Sequence, residues 1–126
     1  MRAAETGSTP EEVFAFANRA FVEAASLRGE RPGEARARLD EAIAGFRTLI
    51  EDDGISNPKL HYNLANAYMM RDEVGRAIVE YRRAARLAPE DENLRANLAY
   101  ARSRVETSFE ADEASRLYST LLGWQD

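Results

Sequence analysis

The residues able to do chemistry are few, and their spacing decides what they could do. His61 is the only histidine. A hydrolytic triad would have to use it as the base, and no glycine-framed nucleophilic serine accompanies it. A zinc site of the HExxH kind needs two histidines on one helix face. The chain has no cysteine, which excludes thiol catalysis, thiolate metal sites and disulfides. Asp52-Asp53-Gly54 lacks the spaced series of oxygen ligands that an EF-hand requires. No GxxxxGK[ST] phosphate loop occurs. The carboxylate pairs Glu11/Glu12 and Asp112/Glu113 stand where helix-start charges are favoured by the dipole. No catalytic residue, cofactor or metal is therefore expected, and the chain reads as a non-enzyme.

Composition narrows the remaining classes. Seventeen basic residues against twenty-two acidic ones leave a net charge of −5 over 126 residues. A nucleic-acid partner would demand a basic surface instead. Hydrophobic residues make up 44% of the chain, enough for one packed domain and too many for a disordered one. The longest uncharged run, Leu60 to Met70, falls short of the ~20 apolar residues of a membrane span. The first eight residues lack the apolar stretch of a signal peptide and are expected to form a disordered tail.

The elements that must position any binding residues read as helices. Thr9-Pro10-Glu11-Glu12 is a capping box followed by a proline tolerated at the first helical position. Val13, Phe14, Ala17, Phe21 and Ala24 follow at helical spacing, to about Leu27. Gly29, Pro32 and Gly33 mark a turn. Leu39, Ala42, Ile43, Phe46, Leu49 and Ile50 line a second helix, with Gly54 as its C-terminal cap. Asn57-Pro58 opens a third helix carrying Leu60, Leu64, Ala67 and Tyr68. Asp72 restarts the chain as a fourth, with Val74, Ala77, Ile78, Tyr81, Ala84 and Ala85, which Pro89 stops. Asp91 caps a fifth, with Leu94, Leu98, Ala101 and Val105. A weaker sixth is expected over Asp112 to Leu122. No sheet is expected.

A repeat underlies this series. Leu60-His61-Tyr62-Asn63-Leu64-Ala65 recurs as Leu94-Arg95-Ala96-Asn97-Leu98-Ala99, an offset of 97 − 63 = 34 residues. The stretch from Pro58 to Asp91 resembles a complete tetratricopeptide repeat (TPR). His61 stands at the family's tryptophan position, Leu64 and Ala65 at its Leu-Gly, Tyr68 at its tyrosine. Ala77, Tyr81, Ala84 and Pro89 complete the series. Small residues at Ala65 and Ala77 let the paired helices approach closely. Upstream, Phe14, Ala17, Asn18 and Phe21 match the first helix of a unit, and Ala42 and Phe46 the second. Their separation, 42 − 21 = 21 against 77 − 68 = 9, predicts helices lengthened around a wider loop. Downstream, Arg102 falls where Tyr68 sits one period earlier, which suits a terminal cap with a wetted side.

The resemblance implies an all-α solenoid of antiparallel helix hairpins, with five to six helices and a C-terminal capping helix. Its parts are a tail over 1–8, a degenerate first repeat over 9–54, a complete unit over 55–91, a capping helix over 92–108 and a C-terminal helix or tail over 109–126. It implies a non-catalytic module whose first helices line a concave groove for a protein or peptide. In that groove the family places Lys59, Tyr62, Asn66, Met69 and Met70 of the second unit, and Asn93, Ala96, Tyr100, Ser103 and Arg104 of the third. Glu12, Ala15, Arg19, Val22 and Glu23 are their counterparts in the first. Asn66 suits an extended backbone, Arg19 and Arg104 a carboxylate, Tyr62 and Tyr100 an interface anchor, and Met69 and Met70 an adaptable apolar contact. Ala15 stands where carboxylate-reading relatives carry a basic residue, so chaperone-tail binding is not expected.

A finer resemblance covers residues 13–105. Asn-Arg-Ala-Phe at 18–21, Leu-His-Tyr-Asn-Leu-Ala-Asn-Ala-Tyr at 60–68, Gly75-Arg76-Ala77-Ile78 and Glu92-Asn93-Leu94-Arg95-Ala96-Asn97-Leu98 look like the TPR protein of bacterial aerotolerance (Bat-type) operons. That likeness implies a scaffold beside von Willebrand A-domain proteins and a MoxR-type AAA ATPase. It implies the periplasmic or cytoplasmic part of a membrane-tethered protein. An alternative stays open: a structural subunit that self-associates through Leu117, Tyr118, Leu121, Leu122 and Trp124.

Overall fold

The computed structural model describes residues 8–122, and side chains over residues 8–107. The tail expected before Thr9 lies outside them except for Ser8, and so do the side chains of the apolar C-terminal positions. Every element among the described residues is helical: α1 (Pro10–Leu27), α2 (Pro32–Arg47), α3 (Pro58–Met70), α4 (Val74–Leu87) and α5 (Glu92–Leu122), with a π-helical turn over Thr48–Asp52.

Local signals set these boundaries. At α1 both arms of the capping box form, Glu12 N–H to Thr9 Oγ1 at 3.1 Å and Thr9 N–H to Glu12 Oε1 at 3.0 Å. Asn57 Oδ1 caps α3 through Leu60 N–H at 2.8 Å, and Asp91 Oδ1 caps α5 through Leu94 N–H at 3.1 Å. Gly54 takes φ +68°, a left-handed conformation that lacks a Cβ penalty only at glycine. Asp72 takes φ 65° in the short link from α3 to α4, as aspartate can.

α1 packs on α2 and α3 on α4 as antiparallel hairpins, and α5 packs on α4. One core runs through both hairpins: Ala17, Ala20, Ala24, Leu39, Ile43, Phe46, Leu64, Ala65, Tyr68, Ala77, Tyr81, Leu94 and Leu98 are all buried. Alanine is frequent where helices of a pair meet. In the first hairpin, a methyl built on Gly45 would stand 3.0 Å from Ala17 Cβ.

Two expectations need correction. The wider loop between α1 and α2 is absent, since only residues 28–31 connect them. The extra chain lengthens the helices themselves, which keeps every added amide hydrogen-bonded. The fifth and sixth helices are one helix, Glu92–Leu122, with no break before Asp112. Nothing there stops a helix, because residues 106–114 hold neither glycine nor proline.

Candidate partner-binding groove

α1, α3 and α5 run in the same direction. Asn97 of α5 meets Asn66 of α3, and Arg104, two turns further along α5, meets Asp72, just beyond the end of α3. The two contacts advance together, as parallel helices require. Polar side chains knit these helices side by side. Asn97 Nδ2 donates to Tyr62 Oη at 3.0 Å and to Asn66 Oδ1 at 3.3 Å. Tyr81 Oη reaches up from α4 and donates to the same Asn66 Oδ1 at 2.5 Å. Between α1 and α3, Asn63 Nδ2 donates to Asn18 Oδ1 at 3.1 Å.

These contacts fix how the first unit aligns with the second. Asn18 receives Asn63 as Asn66 receives Asn97. Phe14 packs on Phe46 with ring centroids 5.9 Å apart and planes at 60°, as Tyr62 packs on Tyr81 at 6.1 Å and 57°. Phe14 is thus the counterpart of Tyr62 and Asn18 of Asn66, an offset of 66 − 18 = 48 residues. The sequence alignment set Phe14 against His61 and was one residue out. The candidate groove line of the first unit is then Glu11, Phe14, Asn18, Phe21 and Val22. Arg19 falls one position outside it, exposed and with no ion-pair partner among the described residues. Ala15 moves off the line too, and Phe14 takes its place, so the absence of a basic residue there still holds.

The other expected residues divide into those free to meet a partner and those already engaged. Tyr100 is 60% exposed and Val22 64%. Asn93 is exposed on the first turn of α5. Tyr62 is half-buried, its hydroxyl accepting from Asn97. Both lone pairs of Asn66 Oδ1 are taken by Tyr81 and Asn97, which leaves its Nδ2 donors for a partner and no acceptor. Arg104 holds the Asp72 carboxylate at 2.5 Å. The ammonium of Lys59 lies 5.7 Å above the Phe14 ring and borders a cavity of about 310 Å³ walled by Phe14, Leu49, Ile55 and Leu60. Met69 and Met70 pack against the core. Met70 also borders a cleft of about 290 Å³ with Arg28, Ala35 and Leu39, at the start of α2.

Burial and the neighbouring Tyr62 push the Tyr81 phenol up to about 12. A neutral phenol is the form that can donate to Asn66. Arg71 is raised above the usual guanidinium range by its hydrogen bond to Glu73 and then by Asp40. It ties the α3–α4 link to α2.

Sequence reading assigned His61 to the core, and there it lies, 3% exposed. Its polar surroundings were not foreseen. His61 Nδ1 meets Glu80 Oε1 at 2.7 Å, and Ser56 Oγ meets His61 Nε2 at 3.0 Å. Arg83 holds the second Glu80 oxygen at 2.8 Å. A neutral imidazole donating from Nδ1 to the carboxylate accepts from the serine hydroxyl at Nε2. This is the hydrogen-bond order of a hydrolytic triad. Here it joins the loop before α3 to α4 and satisfies both ring nitrogens of a buried histidine. A cavity of about 650 Å³ opens beside it, bordered by Glu51, Arg83 and Arg86. Glu80, a buried carboxylate on an otherwise apolar helix stripe, was the available signal.

No family model matches the chain, and neither a curated protein nor a solved structure matches it.

Proposed function

We propose that the chain is a tetratricopeptide-repeat protein that holds a segment of another protein against α1, α3 and α5 and carries out no reaction. The observation that carries this reading is the recurrence of one contact set along the stack: an aromatic pair inside each hairpin, and an asparagine reaching the preceding parallel helix. A solenoid built from such units repeats its surface as well as its core. The line Phe14, Asn18, Val22, then Tyr62, Asn66, Met69, then Tyr100 alternates apolar area with amide groups. That mixture suits an extended peptide whose side chains are apolar and whose backbone seeks donors.

Neither Arg19 nor Arg104 is placed to grip a partner's carboxylate in the groove. Arg104 already has a carboxylate, and Arg19 stands off the line. An apolar segment fits this groove better than an acidic one.

The finer resemblance to the TPR protein of aerotolerance operons makes von Willebrand A-domain proteins and a MoxR-type AAA ATPase the first partners to test. Among the described residues no helix is long and apolar enough to cross a membrane. The test is direct binding of purified A-domain and AAA proteins, and of peptide libraries, by fluorescence anisotropy. Tyr100→Ala and Val22→Asp weaken binding without shifting the melting temperature, since both side chains are exposed. Unchanged binding in both variants would overturn the groove.

A further inference from the structure

Among the described residues the third unit has a first helix and no second one. In the middle unit the face of α3 formed by His61, Ala65 and Tyr68 is buried under α4. One period later the same face of α5 is Arg95, Ala99 and Arg102, and all three are exposed. The chain does not fold back to cover it, because α5 continues as one helix to Leu122. Its body-facing residues Leu94, Leu98 and Ala101 are spent on α4.

The order of residue types along this line says what covers its exposed first half. At 100° per residue, positions 95, 99, 102, 106, 109 and 113 fall within about 40° of one line. They read Arg95, Ala99, Arg102, Glu106, Phe109, Glu113. About a centre at position 104 the order is complementary under reversal. Arg95 pairs with the position of Glu113, Ala99 with Phe109, Arg102 with Glu106. Cation meets anion twice and the smallest side chain meets the largest. Neither Arg95, Arg102 nor Glu106 has an ion-pair partner in its own chain among the described residues, although Arg102 and Glu106 are four apart on one helix.

We propose that two copies of this chain associate through antiparallel α5 helices related by a two-fold axis at position 104. Each copy lays residues 106–113 of its α5 along residues 95–102 of the other and so supplies the missing second helix of the partner's third unit. A two-fold interface repeats every pairing twice, so this register sets positions of opposite charge against each other at four places. The groove reading neither requires this association nor is required by it.

The test is the mass of the full chain in solution, by light scattering across a wide concentration range. The expected species is twice the 14.1 kDa chain mass. Arg102→Glu alone and Glu106→Arg alone each place like charges together at two sites and weaken the dimer by more than about tenfold. The combined Arg102→Glu/Glu106→Arg variant restores it, because both members of each pair reverse. Helicity and melting temperature at high dilution stay unchanged in all three, which separates lost association from lost folding. A wild-type chain that is monomeric at every concentration overturns the proposal, as does a dimer indifferent to Arg102→Glu, or a double variant that stays dissociated.

Discussion

Asn97 sits between Tyr62 and Asn66, 3.0 Å from the hydroxyl of one and 3.3 Å from the amide oxygen of the other. One side chain on α5 thereby joins two successive turns of α3. Because Asn66 Oδ1 also receives Tyr81 from α4, three helices meet at one oxygen. The floor of the proposed groove and the interface between units are built from the same atoms.

Asn97→Ala removes both donations and leaves two half-buried acceptors to water. A loss of about 1–2 kcal/mol is expected for hydrogen bonds of this kind, read as a lower urea midpoint with an unchanged slope. Asn18→Ala, which breaks a single bond to Asn63, costs less. Equal stability of Asn97→Ala and wild type would mean that the network contributes nothing to joining the units.

Much of this was legible beforehand. The capping box at Thr9, the proline starts and the 34-residue period all act within one turn or one hairpin, where sequence spacing and spatial neighbourhood coincide. The one-residue error in the first unit had a remedy in plain view. Phe14-Ala-Phe-Ala-Asn18 has the form of Tyr62-Asn-Leu-Ala-Asn66, aromatic, spacer, large apolar, alanine, asparagine. Matching Phe14 to the tryptophan position concealed it. The engagement of Asn66 and Arg104 was not legible, since it depends on which residues of other helices arrive there. The same holds for Ser56 and Glu80 around His61, brought together from separate elements.

Gly45 sets the spacing of the first hairpin. Alanine there would raise helix propensity by up to about 1 kcal/mol, but its methyl meets Ala17 Cβ at 3.0 Å. Neither methyl can rotate away, so the helices must part. Overpacking of this kind costs about 1–3 kcal/mol, and the net expectation is destabilisation in a thermal melt. A gain in melting temperature would show that α1 and α2 are less tightly apposed than described.

Tyr81 gives stability an alkaline edge. Its phenol is pushed from 10.0 up to about 12 in the fold. A group whose folded pKa is raised stabilises fully below its unfolded pKa, and that contribution disappears as pH climbs through the folded one. The window is therefore about pH 10 to 12. Absorbance at 295 nm should show one of the five tyrosines ionising late, and Tyr81→Phe should flatten the fall in stability across that window. A Tyr81→Phe chain that loses stability just as steeply would assign the edge to another group.

The Ser56–His61–Glu80 chain of hydrogen bonds is read as a brace, and the two roles separate cleanly. A hydrolytic relay would make Ser56→Ala inactive on an activated ester such as p-nitrophenyl acetate. A brace leaves hydrolysis at the level of the wild type and costs about 0.5–1.5 kcal/mol for the lost bond. Glu80→Ala is the harsher change, because His61 then keeps a buried donor without an acceptor, at a cost of about 1–3 kcal/mol. Ester hydrolysis by the wild type that vanished in Ser56→Ala would displace the brace reading and, with it, the view that this chain performs no catalysis.

The groove makes a final demand on the two classes of residue that line it. Tyr100 is exposed and its hydroxyl has no hydrogen-bond partner among the described residues, whereas Asn66 is held by Tyr81 and Asn97. Tyr100→Ala should weaken a bound apolar peptide by about tenfold, as truncating an aromatic anchor does, with no change in melting temperature. Asn66→Ala should lower affinity and melting temperature together, because it removes a partner-facing donor and orphans Tyr81. Arg104→Glu should lower stability slightly by facing Asp72 and leave peptide affinity nearly unmoved. If Arg104→Glu instead abolished binding while Tyr100→Ala did nothing, the occupant would be anionic and would reach the protein at the Asp72 end, not along the line from Phe14 to Tyr100.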